Sequence, residues 1–260
     1  MLLENKIAII SGAGPGTGRA IALAFAREGA DLVLAARHAS SWEPVAAEVE
    51  KMGRRVVGVE ADITSEPDRE KLLAAALAAY SRVDILANNA FAMGRMGPML
   101  GGDIENTWKV PFKVNLFGTL ALSELVGRTM KDAGSGAIVM LGSMAGRTPQ
   151  AGMVAYGASK AALIFSVGGL ATELGPHGVR VNCVVPSHID GPNLRVYFQM
   201  EAEARGITEE EVYRETAAQG VLPHVCTAAE VAESVLFLAS PMSSAVTGQS
   251  LDVNCGQWFD

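Results

Sequence analysis

The sequence predicts a doubly wound α/β fold, in which seven strands form a mostly parallel sheet with helices on both faces. Short β-branched runs alternate along the chain with Ala-rich amphipathic stretches, the pattern of repeated βαβ units. Several runs are apolar throughout, as suits strands covered on both faces. A glycine-rich turn ends the first strand and opens the first helix. At 260 residues the chain can bury a large core, and residues 1–260 are read as one domain.

Bulk properties exclude several classes of function. Net charge is −7 with no block of Lys or Arg, so neither a nucleic acid nor an anionic membrane is expected as a partner. Cys183, Cys226 and Cys255 are widely spaced and unaccompanied by His clusters. That argues against a disulfide framework or a zinc site, and for reduced thiols in the cytoplasm. The apolar run after Met1–Lys6 is too short for a signal peptide or a membrane span.

The first strand, Ile7–Ser11, leads into Gly12-Ala13-Gly14-Pro15-Gly16-Thr17-Gly18, and a helix is expected over Gly18–Glu28. Gly12, Gly14, Gly16 and Gly18 let the backbone turn tightly and approach a pyrophosphate. Its charge would then sit at the helix N-terminus beside Thr17, as in the dinucleotide-binding half of a Rossmann fold. The second strand, Asp31–Ala35, ends at Ala36-Arg37-His38, where NAD-binding units carry an acidic residue for the ribose 2′-hydroxyl. No carboxylate stands there to repel a phosphate, and Arg37 can pair with one bidentately, so NADP is the preferred cofactor. If Arg37 instead stacks on adenine, NAD remains open.

A helix over Trp42–Met52 and a strand over Val56–Glu60 follow. In Asp62-Ile63-Thr64-Ser65, Asp62 is a candidate adenine contact with Ile63 beside it; its alternative role is an N-terminal cap on the helix Glu66–Ser81. Next come the strand Val83–Asn88, a long helix Asp103–Ala133, the strand Ala137–Leu141, the helix Val154–Leu174 and the strand Val179–Val185. The helix Thr227–Ala239 and the strand Ser250–Val253 close the pattern. Between them, about 187–225 is rich in Glu and Arg around a few large apolar residues. It is expected to form exposed helices rather than core, and is read as a substrate lid, with a solvated excursion as the alternative.

On the helix Val154–Leu174, Tyr156 and Lys160 stand one turn apart on one face. Free tyrosine titrates near ~10 and is a poor base at neutral pH; a fixed cation nearby favours the phenolate and brings the group toward the working pH of an acid–base catalyst. An exposed helical pair is the bland alternative.

Taken in order, these motifs closely resemble the short-chain dehydrogenase/reductase family in its compact single-domain form. The family's Thr-Gly-x-x-x-Gly-x-Gly turn is matched from Ser11-Gly12 to Gly16 and Gly18, and its Asn-Asn-Ala-Gly by Asn88-Asn89-Ala90, with Phe91 for the glycine. Asn115 in Val114-Asn115-Leu116, and Ser143 at the family's usual spacing before Tyr156, complete the catalytic set. Arg180 through Pro186, and Thr247-Gly248-Gln249-Ser250-Leu251, resemble later landmarks. The resemblance implies that Tyr156 exchanges a proton with a substrate oxygen that Ser143 holds. Lys160 would bind the nicotinamide ribose and lower the Tyr156 pKa, and Asn115 would hold a water at a local helix distortion that Pro111 assists. Asn89, Ala90, Pro186 and Ile189, with Tyr156 and Lys160, are the further cofactor contacts it implies.

Ser187 replaces a glycine after the sixth strand, Gly191 stands where a threonine commonly meets the carboxamide, and Asn254-Cys255-Gly256 replaces Asp-Gly-Gly. Phe91, Met93, Met96, Met99, Met144, Met153, Tyr197, Phe198 and Met200 suit a bulky apolar or cyclic small-molecule substrate, or else are ordinary packing. Arg95, Arg147 and Arg195 keep a carboxylate substrate open. The implied activity is ketone–alcohol interconversion; a catalytically silent dinucleotide sensor or scaffold is the alternative. The apolar tail Gln257-Trp258-Phe259-Asp260 is expected at a subunit contact, in a homotetramer by resemblance.

Overall fold

The structure is a computed structural model that describes residues 1–259; Asp260, the last residue of the apolar tail, lies outside the described residues. Seven strands, all paired in parallel, make the main sheet in the order β3-β2-β1-β4-β5-β6-β9. They are β1 (Ile7–Ser11), β2 (Asp31–Ala36), β3 (Val56–Glu60), β4 (Ile85–Asn88), β5 (Gly136–Leu141), β6 (Val179–Pro186) and β9 (Ser250–Val253). Strand order reverses at the β1–β4 pair, and Ser11 stands opposite Asn88 there, so the glycine turn and Asn89 leave the sheet side by side. That is the switch point at which open α/β sheets bind ligands.

Helices α1 (Thr17–Arg27), α2 (Ala39–Lys51) and α9 (Ala228–Ala239) cover one face, with Ile21, Phe25, Val45, Val49, Val231 and Val235 in the core. The other face carries α3 (Glu66–Tyr80), α5 (Thr119–Ala133) and α6 (Val154–Leu174), packed through Leu72, Leu122, Val126, Met130, Leu163 and Val167. By length and composition Val154–His177 could cross a membrane, but α6 spends its inward face on the sheet, as a core helix does. The N-terminus of α2 lies at Ala39, ahead of the expected Trp42, because Glu60 Oε1 accepts a 2.9 Å bond from Ala39 N across the sheet edge.

Two regions differ from the sequence expectation in kind. The long helix is α4 (Ile104–Pro111), a π-helical stretch Phe112–Gly118, then α5. Pro111 has no N–H to complete the α-helical ladder, which eases the wider winding. The second region is α7 (Pro192–Arg205) and α8 (Glu209–Ala217), expected as exposed helices without a core. Instead Phe198 is fully buried among Ala202, Val212, Ala217 and Val225, with Tyr213 edge-on to it. A capping box at Thr208 and Glu211 starts α8, and Arg205 grips Glu215 through two bonds of 2.7 and 2.8 Å. Below these helices β7 (Ile189–Asp190) pairs with β8 (Cys226–Thr227) in a second, two-stranded sheet, too short to leave a periodic signal in the sequence.

Candidate active site

The glycine turn is built for close approach. Gly12 has φ 74°, and a Cβ there would lie 2.6 Å from Ala90 N; a Cβ on Gly18 would lie 2.1 Å from Gly12 O. Asn89 Nδ2 donates to Gly12 O at 2.8 Å, so its amide braces the turn and Ala90 fixes the distance between the two loops. Gly16 is the N-cap of α1, and no side chain caps that helix end; Thr17 is its first residue. Arg19 N is spent on Gly14 O at 2.9 Å, so the Thr17 and Gly18 amides are the ones left to meet an anion among the described residues. These residues fit the pyrophosphate of a dinucleotide.

At the end of β2, Arg37 is exposed and makes no hydrogen bond or close ion pair among the described residues. Asp62 accepts a 2.8 Å bond from Thr64 N, a turn-capping role, and Ser65 rather than Asp62 is the N-cap of α3. Burial raises the Asp62 carboxyl, but the Thr64 amide bond and the charges of Lys113 and Arg37 outweigh it and hold the group below its ordinary range. Ile63 is buried and packs beside Gly118 of the π-turn, so its backbone, not its side chain, is what a cofactor could meet.

Asn115, Ser143, Tyr156 and Lys160 converge at the carboxyl ends of β4, β5 and β6. Ser143 follows β5 and accepts a 3.2 Å bond from Ala145 N, which orients its side chain at the start of the short helix Met144–Gly146. The Ser143 side chain acts on Tyr156 in the direction that lowers the phenol's pKa. Lys160 is buried, with Nζ 2.7 Å from Leu141 O and 6.0 Å from the centre of the Tyr156 ring. Asn115 is fully buried inside the π-turn: Nδ2 donates to Ala92 O and to Ser159 Oγ, both at 2.9 Å, while Oδ1 accepts from Ala92 N at 2.7 Å. Its side chain has no donor left for a water.

The expected lowering of the Tyr156 pKa is reversed in this structure. Burial of the phenol raises its pKa, and the neighbouring Ser143 side chain pulls back by less. Burial brings Lys160 down to about 8, only weakly opposed by the nearby Cys183 thiol. A cation that has itself lost its hydration, and that spends a bond on Leu141, does not offset the desolvation of the phenol.

The nicotinamide end departs from its expected form more gently than the substitutions suggested. Phe91 does not adopt a positive φ; the loop keeps ordinary geometry and places the ring 47% exposed. Gly191 has φ −179°, extended backbone open to any residue. Pro186 closes β6 and Ile189 lies in β7, with Ser187 N held by Val253 O at 3.2 Å. Of the apolar set, Met144 and Phe198 are buried packing, whereas Phe91, Met96, Met99, Tyr197 and Met200 are exposed. Arg195 pairs with Asp190 at 2.7 Å and Arg147 with Asp252 at 3.2 Å, which leaves a carboxylate substrate less support.

Sequence reasoning missed Ser159. It accepts from Asn115 and donates to Tyr156 O at 2.7 Å, joining the π-turn to the first turn of α6. A serine directly before Lys160, on a helix face that is otherwise apolar, was the available signal.

The model of a family described as enoyl-(acyl carrier protein) reductase matches residues 12–257. The chain is 33% identical to the 7alpha-hydroxysteroid dehydrogenase of Escherichia coli (strain K12), over 98% of this chain and 94% of that one. It is 31% identical to galactitol 2-dehydrogenase of Agrobacterium fabrum (strain C58 / ATCC 33970), over 100% of both. Among solved structures, carveol dehydrogenase from Mycobacterium avium in complex with NAD superposes with a TM-score of 0.92 at 26% identity, covering 98% of each chain.

Proposed function

The chain belongs to the short-chain dehydrogenase/reductase family and is a nicotinamide-dependent oxidoreductase of alcohols and ketones; from that premise we propose Tyr156 as its proton donor, NADP as its preferred cofactor and an apolar or cyclic ketone as its substrate. The observation that carries the assignment is the placement of the buried Lys160 ammonium, 6.0 Å from the centre of the Tyr156 ring and anchored on Leu141 O two residues before Ser143. The bound cofactor supplies the hydride. Tyr156 gives its phenolic proton to the carbonyl oxygen, and Ser143 donates to the same oxygen as negative charge develops on it. A phenol whose pKa is raised by burial stays protonated at neutral pH, which suits reduction of a ketone.

Lys160 has one hydrogen bond among the described residues, to Leu141 O, and its remaining donors would hold the ribose hydroxyls of the cofactor. With the Asn115 side chain committed to Ala92 and Ser159, a water beside the π-turn falls to main-chain oxygen atoms. Gly12, Gly14, Gly16, Thr17 and Gly18 hold the pyrophosphate, Arg37 the 2′-phosphate, Asp62 and Ile63 the adenine, and Ala90, Pro186 and Ile189 the nicotinamide side. Asn89 acts through the turn it braces.

The exposed Phe91, Met96, Met99, Tyr197 and Met200 support an apolar substrate enclosed by the α7–α8 excursion as a lid. Phe165, 87% exposed on α6, and Phe117, 62% exposed, support a homotetramer. Trp258 of the tail packs under Arg147 of its own chain, and Phe259 is exposed. Three free cysteines support a cytoplasmic setting.

A panel of cyclic ketones, secondary alcohols and an enoyl thioester, followed at the nicotinamide absorbance with both cofactors, tests the reading. Tyr156→Phe is expected to lower kcat on the best ketone by about 10²- to 10⁴-fold while cofactor affinity stays within about twofold. Cofactor binding without turnover on any ketone or alcohol would instead establish the silent sensor, and turnover of the enoyl thioester alone would replace the ketone assignment.

A further inference from the structure

A second cluster of reactive side chains lies beside the Ser187–Ile189 segment, where the chain departs from its family. Cys255 stands in Asn254-Cys255-Gly256, in place of the first glycine of Asp-Gly-Gly, and keeps the left-handed backbone that glycine favours, with φ 53°. Its carbonyl holds that geometry by accepting from Val221 N at 2.8 Å and Leu222 N at 2.9 Å. A side chain kept at a strained position invites a functional account.

The Cys255 thiol does not stand alone. Cys226, buried at β8, has its Sγ 3.8 Å from Thr227 O, and His224 Nε2 lies 3.7 Å from Cys255 Sγ. Both cysteines and His224 line one surface pocket with His188. The same His224 nitrogen is 2.9 Å from Glu230 Oε1. Hydrogen bonds from Thr227 hold the Glu230 carboxyl below its ordinary range. An ionised carboxylate can only accept, so His224 Nε2 carries the proton and presents it to Cys255 as well. The two thiols are unequal: burial pushes Cys226 up to about 12, whereas Cys255 is less buried and its pKa is raised, chiefly by burial, with Cys226 acting in the opposite direction.

We propose that Cys255 and Cys226 form a second, redox-active site, a dithiol that hydroperoxides oxidise to a disulfide. The Cys255 thiolate attacks one oxygen of the hydroperoxide and the O–O bond breaks. Cys255 becomes a sulfenic acid, and the departing oxygen takes up a proton to leave as an alcohol, or as water when the reagent is hydrogen peroxide. The Cys226 sulfur then attacks the Cys255 sulfur, the S–O bond breaks, and the hydroxyl leaves as water with the Cys226 proton. Two thiols and one hydroperoxide thus give one disulfide, one alcohol and one water. The bridge ties β8, whose Cys226 pairs with Ile189, to the segment that follows β9. His224 serves as the donor that steadies the attacking thiolate.

The full-length protein, exposed to hydrogen peroxide, alkylated and mapped by mass spectrometry, tests the site. A Cys226–Cys255 linked peptide is expected to accumulate at least about tenfold faster than any oxidation of Cys183, which is fully buried. Cys226→Ser is expected to leave a dimedone-trappable sulfenic acid on Cys255, and His224→Gln to slow the linkage several-fold. Equal oxidation of Cys183, linkage only between separate molecules, or oxidation of Cys255 without linkage to Cys226 would each overturn the proposal. Because the wild-type protein itself gives the decisive peptide, a poorly folding variant does not blunt the test.

Discussion

Replacing Lys160 with methionine is expected to stabilise the ligand-free protein at neutral pH while crippling it as an enzyme. The ammonium is buried without a counter-ion among the described residues, and burial moves it from 10.5 to about 8. At roughly 1.4 kcal/mol per pH unit, this is about 3 kcal/mol of folding free energy lost at pH 7. Methionine removes that cost and keeps most of the volume, but forfeits the hydrogen bond to Leu141 O, worth about 1 kcal/mol. The variant is therefore expected to be more stable by about 2 kcal/mol at pH 7. The sign follows from proton counts: between about 8 and 10.5 the unfolded lysine binds a proton that the folded one has lost. Wild-type stability thus rises with pH through that window relative to the variant, and the two proteins converge near pH ~9.5. Urea melts of both proteins at pH 7, 8.5 and 9.5 measure it. A Lys160→Met protein less stable than wild type at pH 7, or a difference indifferent to pH, would refute the reasoning.

Arg37→Ala is expected to weaken NADP by about 10- to 100-fold, the worth of one charge-assisted phosphate contact, and to leave NAD within about twofold; titration calorimetry with both nucleotides reads it, and equal losses would remove Arg37 from the phosphate site. Ser159→Ala strands one Asn115 donor in a buried turn and is expected to cost about 1–3 kcal/mol. The accompanying fall in kcat, measured against an unchanged cofactor Kd, separates a positioning role from general destabilisation. A Cβ on Gly18 would lie 2.1 Å from Gly12 O, so Gly18→Ala is expected to cost more than about 1 kcal/mol and to abolish nucleotide binding; a variant that binds nucleotide normally in fluorescence titration would show that the turn is not what holds it.

Where one residue pattern implied one physical outcome, the sequence was enough. All seven sheet strands lie where apolar runs placed them, and the glycine turn ends β1 as expected, because burial on both faces and close backbone approach each leave a local signature. The quartet was legible as four positions, but not its wiring. That Asn115 spends its amide on Ala92 and Ser159 depends on which carbonyls the π-turn brings near, a long-range fact that no window of sequence contains. Two-residue strands such as β7 and β8 carry no periodicity, and the small core around Phe198 was hidden among charged residues that read as surface.

The reversed Tyr156 shift follows from the same limit and says something about how the site works. Helical spacing placed a cation beside a phenol and led to the expectation of an acidic tyrosine, but spacing is silent on desolvation. Both groups are buried, so the charged form of each is disfavoured, and Lys160 is itself easier to deprotonate than a surface lysine. A site in this state is poised rather than satisfied. Hydroxyl groups that hydrogen-bond Lys160 would favour its ammonium form, raise its pKa and restore its field at Tyr156. On the roles proposed for Tyr156 and Lys160, occupancy of the ribose position and readiness of the proton donor would be coupled through one buried ammonium, and the energetic penalty of Lys160 in the ligand-free protein would become a driving force for binding. The Lys160→Met protein is expected to be the more stable and the less able to bind the nucleotide, two opposite consequences of the same removed charge.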